Sequence, residues 1–124
     1  MIKKENRIVV LGASANPERY SNQAVARLME KGYDVIPVNP GRPIVHGLPC
    51  LAALSDIRDP VDTVTLYVNP EISNKAAEAL CALQPRRVIF NPGSENKELE
   101  IKLIKQGINT VTACTLVMLR TGQF

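Results

Sequence analysis

Short runs of apolar, mostly β-branched residues recur along this chain, and segments with helical spacing of apolar residues separate most of them. The runs are nearly continuous in apolarity, as expected for parallel strands that helices cover on both faces. No linker, repeat or low-complexity segment divides the chain. The alternation predicts one α/β domain, residues 1–124, built on a doubly wound, five-stranded parallel sheet with the strand order 3-2-1-4-5. The predicted strands are residues 7–11, 34–38, 63–68, 87–91 and 110–113.

The connection between the second and third predicted strands differs from the other crossovers. Residues 39–62 contain four prolines and two glycines, and only residues 51–54 have a helical pattern. We therefore predict a long loop with a short helical turn in place of a full crossover helix. Loops of this length in compact domains are often functional.

The first predicted strand runs straight into a Gly-Ala-Ser turn, and a helix begins a few residues later. The layout of residues 8–17 is that of a nucleotide-binding loop, because free backbone N–H groups at a helix start attract phosphate. Arg19 adds a cation beside the turn, and Ser21 or Asn22 is expected to cap the helix. The predicted order places the switch point, where ligands bind, between strands 1 and 4. Three Asn-Pro pairs follow strands 2, 3 and 4 and give this sheet edge a polar rim: Asn39-Pro40, Asn69-Pro70 and Asn91-Pro92.

The turn lacks features that NAD needs. Of the three glycines in the dinucleotide fingerprint, only Gly12 is present within residues 12–17. The acidic residue that binds the ribose hydroxyls is expected at the end of strand 2, where this chain has Asn39. NAD therefore fits poorly. Arg42 in the same loop suits a ribose that carries an additional phosphate, and both NADP and coenzyme A (CoA) have one.

Composition argues against nucleic-acid and membrane partners. Fifteen Lys and Arg against twelve Asp and Glu give a net charge of +3, without a dense basic run. No segment reaches the roughly 18 apolar residues of a membrane span, and the start of the chain lacks the apolar core of a signal peptide. We therefore expect a soluble, cytoplasmic protein. The three cysteines are widely spaced, so neither a disulfide framework nor a metal site is predicted.

The residues predicted at the strand ends offer little for catalysis. His46 is the only histidine and is expected at a loop surface or in packing. Asp56, Asp59 and Asp62 are interpreted as solvated turn residues. Cys114 ends strand 5 and is expected to pack as a small apolar side chain, with a mixed disulfide to a bound thiol as the alternative. We therefore predict no catalytic residue.

Four segments together resemble a known family: residues 9–19, 32–40, 46–49 and 61–64. They resemble the small stand-alone CoA-binding proteins, whose Rossmann-like domain is similar to the CoA-binding domain of the succinyl-CoA synthetase alpha subunit. The resemblance covers almost the whole chain. The segments after strand 4 and after strand 5 differ from those of many family members, which indicates a subgroup. The synthetase domain that carries the phosphorylated histidine has no counterpart in this sequence.

The resemblance implies that CoA or an acyl-CoA is the ligand, and it implies a role for each segment at the sheet edge. The implied site has Gly12, Ala13, Ser14, Ala15, Asn16, Pro17 and Arg19 at the pyrophosphate, Val38, Asn39 and Pro40 at the adenine and ribose, Arg42 near the nucleotide phosphates, and Asn91, Pro92 and Gly93 along the pantetheine arm.

The function expected from these observations is binding of CoA or an acyl-CoA without catalysis, by a carrier, sensor or regulatory module. The alternative is an NADP-dependent redox or nucleotide-sensing protein, which is less favoured because no second domain supplies substrate-binding groups. A third possibility is an interaction partner that binds no ligand. The sequence is compatible with binding to a protein partner and with formation of a homodimer.

Overall fold

Strands and helices alternate along most of the computed structural model, which describes residues 3–124. Its strands are β1 (Arg7–Leu11), β2 (Asp34–Val38), β3 (Ile44–Val45), β4 (Leu48–Pro49), β5 (Thr63–Leu66), β6 (Arg87–Phe90) and β7 (Asn109–Thr112). Its helices are α1 (Tyr20–Glu30), α2 (Pro70–Lys75), α3 (Ala77–Leu83), α4 (Lys97–Lys105) and α5 (Thr115–Arg120), and 3₁₀ turns cover Lys4–Asn6 and Leu54–Asp56.

Five parallel strands form the central sheet in the order β2-β1-β5-β6-β7, and β3 pairs with β4 in a separate antiparallel hairpin. This architecture confirms the predicted Rossmann-like α/β fold with a five-stranded parallel sheet. The predicted neighbours of β1 need one correction. The third long strand, β5, pairs with β1 on the side opposite β2, so the long strands lie in the order 2-1-3-4-5 along the sheet. The switch point therefore lies between β1 and β5.

The second crossover explains this position of β5. In the predicted order, the third strand would pair with the outer edge of β2. That edge is occupied by Leu51, whose N–H donates to the Pro37 carbonyl (3.0 Å) and whose carbonyl accepts from the Asn39 N–H (2.9 Å). Pro37 itself has no N–H to donate, as suits an edge strand. The crossover contains the β3–β4 hairpin, which the sequence pattern did not predict, and its short helical turn lies at Leu54–Asp56.

Helices cover both faces of the sheet, because successive side chains of a strand point to opposite faces. Val9 belongs to a buried cluster with Leu80 of α3, on the side where α4 also packs. Its neighbour Ile8 belongs to a second buried cluster with Val25 and Leu28 of α1. Complete burial of a side chain of this size contributes about 1.5–3 kcal/mol. These two layers fix the strands whose carboxyl ends form the candidate site.

The amino-terminal edge of the sheet carries a buried charge. Asp62 accepts hydrogen bonds from Arg86 (2.8 and 3.0 Å) and from the Thr63 hydroxyl (2.7 Å). Burial acts to raise the pKa of Asp62, but these hydrogen bonds and the positive charges of Arg86 and Arg87 outweigh it and lower the pKa. The interpretation as a solvated turn residue is therefore wrong for Asp62, which is only 7% exposed.

Candidate functional site

Gly12 brings the turn after β1 into close contact with the end of β5. Its φ is +90°, and a Cβ added there would lie 2.8 Å from the Tyr67 carbonyl oxygen and 2.8 Å from Val68 Cγ1. Its N–H donates to the Val38 carbonyl at 2.9 Å, and the Ala13 N–H donates to the same oxygen at 3.2 Å. Both the backbone conformation and the space require glycine at this position.

Short polar side chains hold the rest of the turn. Asn39 at the end of β2 donates from Nδ2 to the Ala13 carbonyl (2.7 Å). The Asn16 N–H donates to Ser14 Oγ (3.1 Å), and Asn16 Oδ1 accepts from the Glu18 N–H (2.9 Å). The backbone N–H groups of Ser14 and Ala15 have no hydrogen-bond partner within residues 3–124. They are available to an anion.

The helix behind the turn begins without a side-chain cap. Arg19 occupies the N-cap position of α1, and no side chain of the described residues caps it. The prediction that Ser21 or Asn22 caps this helix is wrong, because both lie inside α1 and are buried. Arg19 is exposed, so its guanidinium is free to approach a ligand.

A cavity of about 460 Å³ lies above the turn, and we call it the polar pocket. Two charged side chains line the polar pocket: the guanidinium of Arg19 and the carboxylate of Glu18. Backbone donors together with a mobile guanidinium are the groups that bind phosphate at a helix start. The polar pocket is lined by Gly12, Ser14, Glu18, Arg19, Tyr20, Ser21 and Tyr67.

A second cavity of about 520 Å³, the apolar cleft, is also lined by Gly12. Among the residues of the range 3–124 that line the apolar cleft, Lys75 at the end of α2 is the only charged one. A mostly apolar cleft with a few polar groups is the usual environment of a small-molecule ligand. The apolar cleft is lined by Leu11, Gly12, residues 38–40, residues 52–55, Val68, Ile72, Lys75, Ala76 and Ala79.

The structure brings some of the predicted site residues together and separates others. Gly12, Ser14, Arg19 and residues 38–40 line the two cavities, whereas Arg42 lines neither and lies exposed with φ +50°. Asn69 caps α2 by accepting the Ile72 N–H at 3.0 Å. Ala13 is fully buried beneath the turn, while Ala15, Asn16 and Pro17 are exposed on it.

The segment after β6 lies outside both cavities. The Asn91 side chain is 1% exposed, and its amide already bonds Thr65 Oγ1 (2.6 Å), the Leu66 carbonyl (2.9 Å) and the Thr115 N–H (2.8 Å). Because β5 separates β1 from β6, the exposed Pro92 and Gly93 are one strand further from the turn than the predicted order implies. Their contact with a pantetheine arm stays a prediction.

Sequence reasoning missed Tyr67, which follows β5 and lines the polar pocket. Its hydroxyl is buried without a hydrogen-bond partner in the described part of the chain. Burial raises the pKa of Tyr67 to about 12. The Thr115 and Thr65 hydroxyls, which bond each other at 2.7 Å, act to lower the pKa of Tyr67, but the effect of burial is larger. Only the position of Tyr67 at a strand end could have indicated it.

The cysteines and other titratable groups form no further cluster at this edge. Cys50 is buried, and Cys81 and Cys114 are half-buried; all three are free thiols. Within residues 3–124, no group of three or more His, Cys, Asp and Glu side chains could hold a metal ion. In the same part of the chain, no helix is long and apolar enough to cross a membrane.

A glycine turn at the switch point of a parallel sheet, lining both a polar pocket and an apolar cleft, is the arrangement of a Rossmann-like nucleotide-binding domain. The CoA binding domain family model matches residues 6–120, and the chain belongs to this family.

Known relatives share the fold, and the more similar ones are uncharacterised. A crystal structure of an uncharacterized protein is 40% identical, with a TM-score of 0.87, and the match covers 98% of this chain and all of that one. The uncharacterized protein YneT of Bacillus subtilis (strain 168) is 31% identical over 71 residues, which span 57% of this chain and 53% of YneT.

A more distant likeness links the domain to larger synthetases. The dinucleotide forming acetyl-coenzyme A synthetase 1 of Ca. Korarchaeum cryptofilum, in complex with phosphate and ADP, matches with a TM-score of 0.75 and 23% identity. The match covers 87% of this chain and 25% of that one. This likeness shows the shared fold alone.

Proposed function

We propose that this chain binds CoA or an acyl-CoA across the polar pocket and the apolar cleft, as a carrier, sensor or regulatory module that catalyses no reaction itself. The observation that carries the proposal is that Gly12 lines both cavities. CoA joins an adenosine to a pyrophosphate, so it matches an apolar cleft that adjoins an anion-binding pocket. Membership of the CoA binding domain family supports the same ligand.

The pyrophosphate would lie at the turn. The free N–H groups of Ser14 and Ala15 and the exposed guanidinium of Arg19 are its proposed donors. Asn16 and Asn39 keep the turn in shape through the hydrogen bonds described above. Pyrophosphate binding would then depend mostly on backbone groups, which keep their geometry when surface side chains change.

The adenosine would occupy the apolar cleft beside residues 38–40. The cation for a phosphate on the ribose needs a new assignment, because Arg42 is outside the lining of the cleft while Lys75 is part of it. We propose that Lys75 contacts this phosphate, and the predicted role of Arg42 becomes the alternative. The two assignments predict different effects of substitution on CoA relative to dephospho-CoA.

The side chains of the polar pocket support binding rather than catalysis. General acid–base catalysis uses a titratable group that a second group holds in place. Glu18 and Arg19 have no side-chain partner within residues 3–124, and a pKa of about 12 keeps Tyr67 protonated at neutral pH. Side chains of this kind can bind a ligand but do not supply a positioned acid or base for a reaction.

Calorimetric titration with CoA, acetyl-CoA, NAD and NADP tests the proposal. We expect saturable binding of one CoA or acetyl-CoA per chain and no saturation with NAD. The absence of a saturable response to both CoA species would overturn the proposed function.

NADP is the second candidate, because its ribose phosphate would also suit Lys75 at the rim of the cleft. Tighter binding of NADP or NADPH than of CoA in the same titration would favour the redox or nucleotide-sensing alternative.

A further inference from the structure

His46 lies at the tip of the β3–β4 hairpin, outside the lining of both cavities. Val45 pairs with Leu48, so His46 and Gly47 form a two-residue turn, with φ +48° and +82°. Two positive φ values are typical of a type I′ hairpin turn, where Asn, Asp and Gly are preferred at the first position. Histidine is accepted in this conformation more readily than most residues.

The tip of the hairpin is joined to the phosphate-binding turn through one side chain of α1. His46 Nε2 lies 2.8 Å from Asn22 Oδ1, and Asn22 Nδ2 donates to the Ser14 carbonyl at 2.9 Å. Asn22 is only 5% exposed. Because its Nδ2 is the donor to Ser14, its Oδ1 is an acceptor, and His46 Nε2 must carry the proton. The three residues therefore form a directed chain of hydrogen bonds.

This chain of hydrogen bonds ends on the carbonyl of a residue that lines the polar pocket. Ser14 lines the pocket, and a carbonyl oxygen turned into it would repel an anion. Asn22 holds the Ser14 carbonyl on its own side, and the Ala15 N–H, which belongs to the same trans peptide group, points the opposite way. This N–H has no partner within residues 3–124. With its Nε2 protonated, His46 gives Asn22 Oδ1 a donor and so adds to the preference for this orientation of the Asn22 amide.

We propose that His46 is a positioning residue of the phosphate-binding turn: through Asn22 it keeps the Ser14 carbonyl out of the anion site. The proposal rests on the proposed function, because it concerns the pyrophosphate end of that ligand. It assigns a role to the tip of a hairpin whose Val45 packs in the core cluster with Val25 and Leu28.

The test variant is His46→Gly. Glycine suits a positive φ, so the hairpin should form as well as before, while the hydrogen bond to Asn22 is lost. We expect affinity for CoA and for dephospho-CoA to fall about fivefold, the effect of one hydrogen bond, with a small fall in Tm because the buried Asn22 Oδ1 loses its partner. Adenosine 3′-phosphate lacks the pyrophosphate, so its affinity should not change. His46→Gln retains an N–H donor and should restore part of the affinity for CoA.

The outcomes separate this inference from the proposed function. If the wild-type chain binds none of the three ligands, the proposed function fails. If His46→Gly binds CoA as the wild type does, or loses affinity for all three ligands equally, His46 has no role at the turn.

A second readout needs no ligand. His46 is the only histidine, so a long-range ¹H–¹⁵N spectrum shows one imidazole without assignment. At mildly alkaline pH we expect the Nε2–H tautomer, and a dominant Nδ1–H tautomer would show that the bridge to Asn22 does not form.

Discussion

The polar pocket and the apolar cleft meet at Gly12 but are built in opposite ways. Six of the seven residues of the polar pocket come from one continuous segment, residues 12–21, and only Tyr67 lies elsewhere. The apolar cleft collects side chains from β1, β2, the second crossover and the segment around α2 and α3. One continuous segment supplies most of the first cavity. The second gathers residues that are far apart in the sequence and that the sheet brings together by placing β5 beside β1.

The largest expected effect comes from the residue that the two cavities share. In Gly12→Ala, the new Cβ would meet the Tyr67 carbonyl at 2.8 Å with φ at +90°, so the turn must move. We expect loss of CoA binding and a stability loss of about 1–3 kcal/mol, measured by titration and thermal unfolding. Gly32→Ala is a matched control, because Gly32 has φ +88°, no atom within 4 Å of the added Cβ and no place in the lining of either cavity. Equal effects of both changes would contradict the close-approach argument.

A charge change should weaken the polar pocket alone. We expect Arg19→Ala to reduce CoA affinity about tenfold at low salt, because it removes the cation beside the anion site. The loss should shrink as salt is added, and titrations at several salt concentrations measure this. Arg27→Ala is the control, since Arg27 pairs with Glu30 on the same helix and lines neither cavity. A similar loss in both variants would indicate only a general effect of net charge.

A smaller effect should distinguish the two cations proposed for the ribose phosphate. Lys75→Met should lower affinity for CoA about fivefold and leave dephospho-CoA unchanged, because only CoA carries the 3′-phosphate. Arg42→Met should change neither. If Arg42→Met alone reduces the preference for CoA over dephospho-CoA, the assignment from the sequence is correct and that of Lys75 is wrong.

The smallest effect on binding is expected from the opposite edge of the sheet. The lowered pKa of Asp62 means that its carboxylate contributes stability above about pH 4, the ordinary value, and that this contribution is lost as the pH falls through the lowered pKa. Asp62→Asn should lower the free energy of unfolding at neutral pH and make it depend less on pH in the acidic range. CoA affinity at neutral pH should stay the same. A large loss of affinity would show that the two edges are coupled.

The sequence was enough to predict the sheet strands and the turn, because both depend on local patterns. Continuous apolar runs indicated strands that are covered on both faces, and Gly12 marked the turn. The order of the strands could not be predicted from such patterns, because it depends on Leu51 occupying the outer edge of β2. With β5 beside β1, Tyr67 and Lys75 line the cavities. Asn91, at the end of the next strand, is buried and bonds Thr65, Leu66 and Thr115. The helix cap was mispredicted since Ser21 and Asn22 are buried inside α1.

Amide chemical-shift mapping during a titration with CoA tests most directly whether one ligand spans both cavities. We predict that residues 12–21, at the polar pocket, and residues 75–79, at the apolar cleft, shift together and saturate at the same CoA concentration. Shifts confined to one cavity, or centred on residues 91–94, would contradict the account.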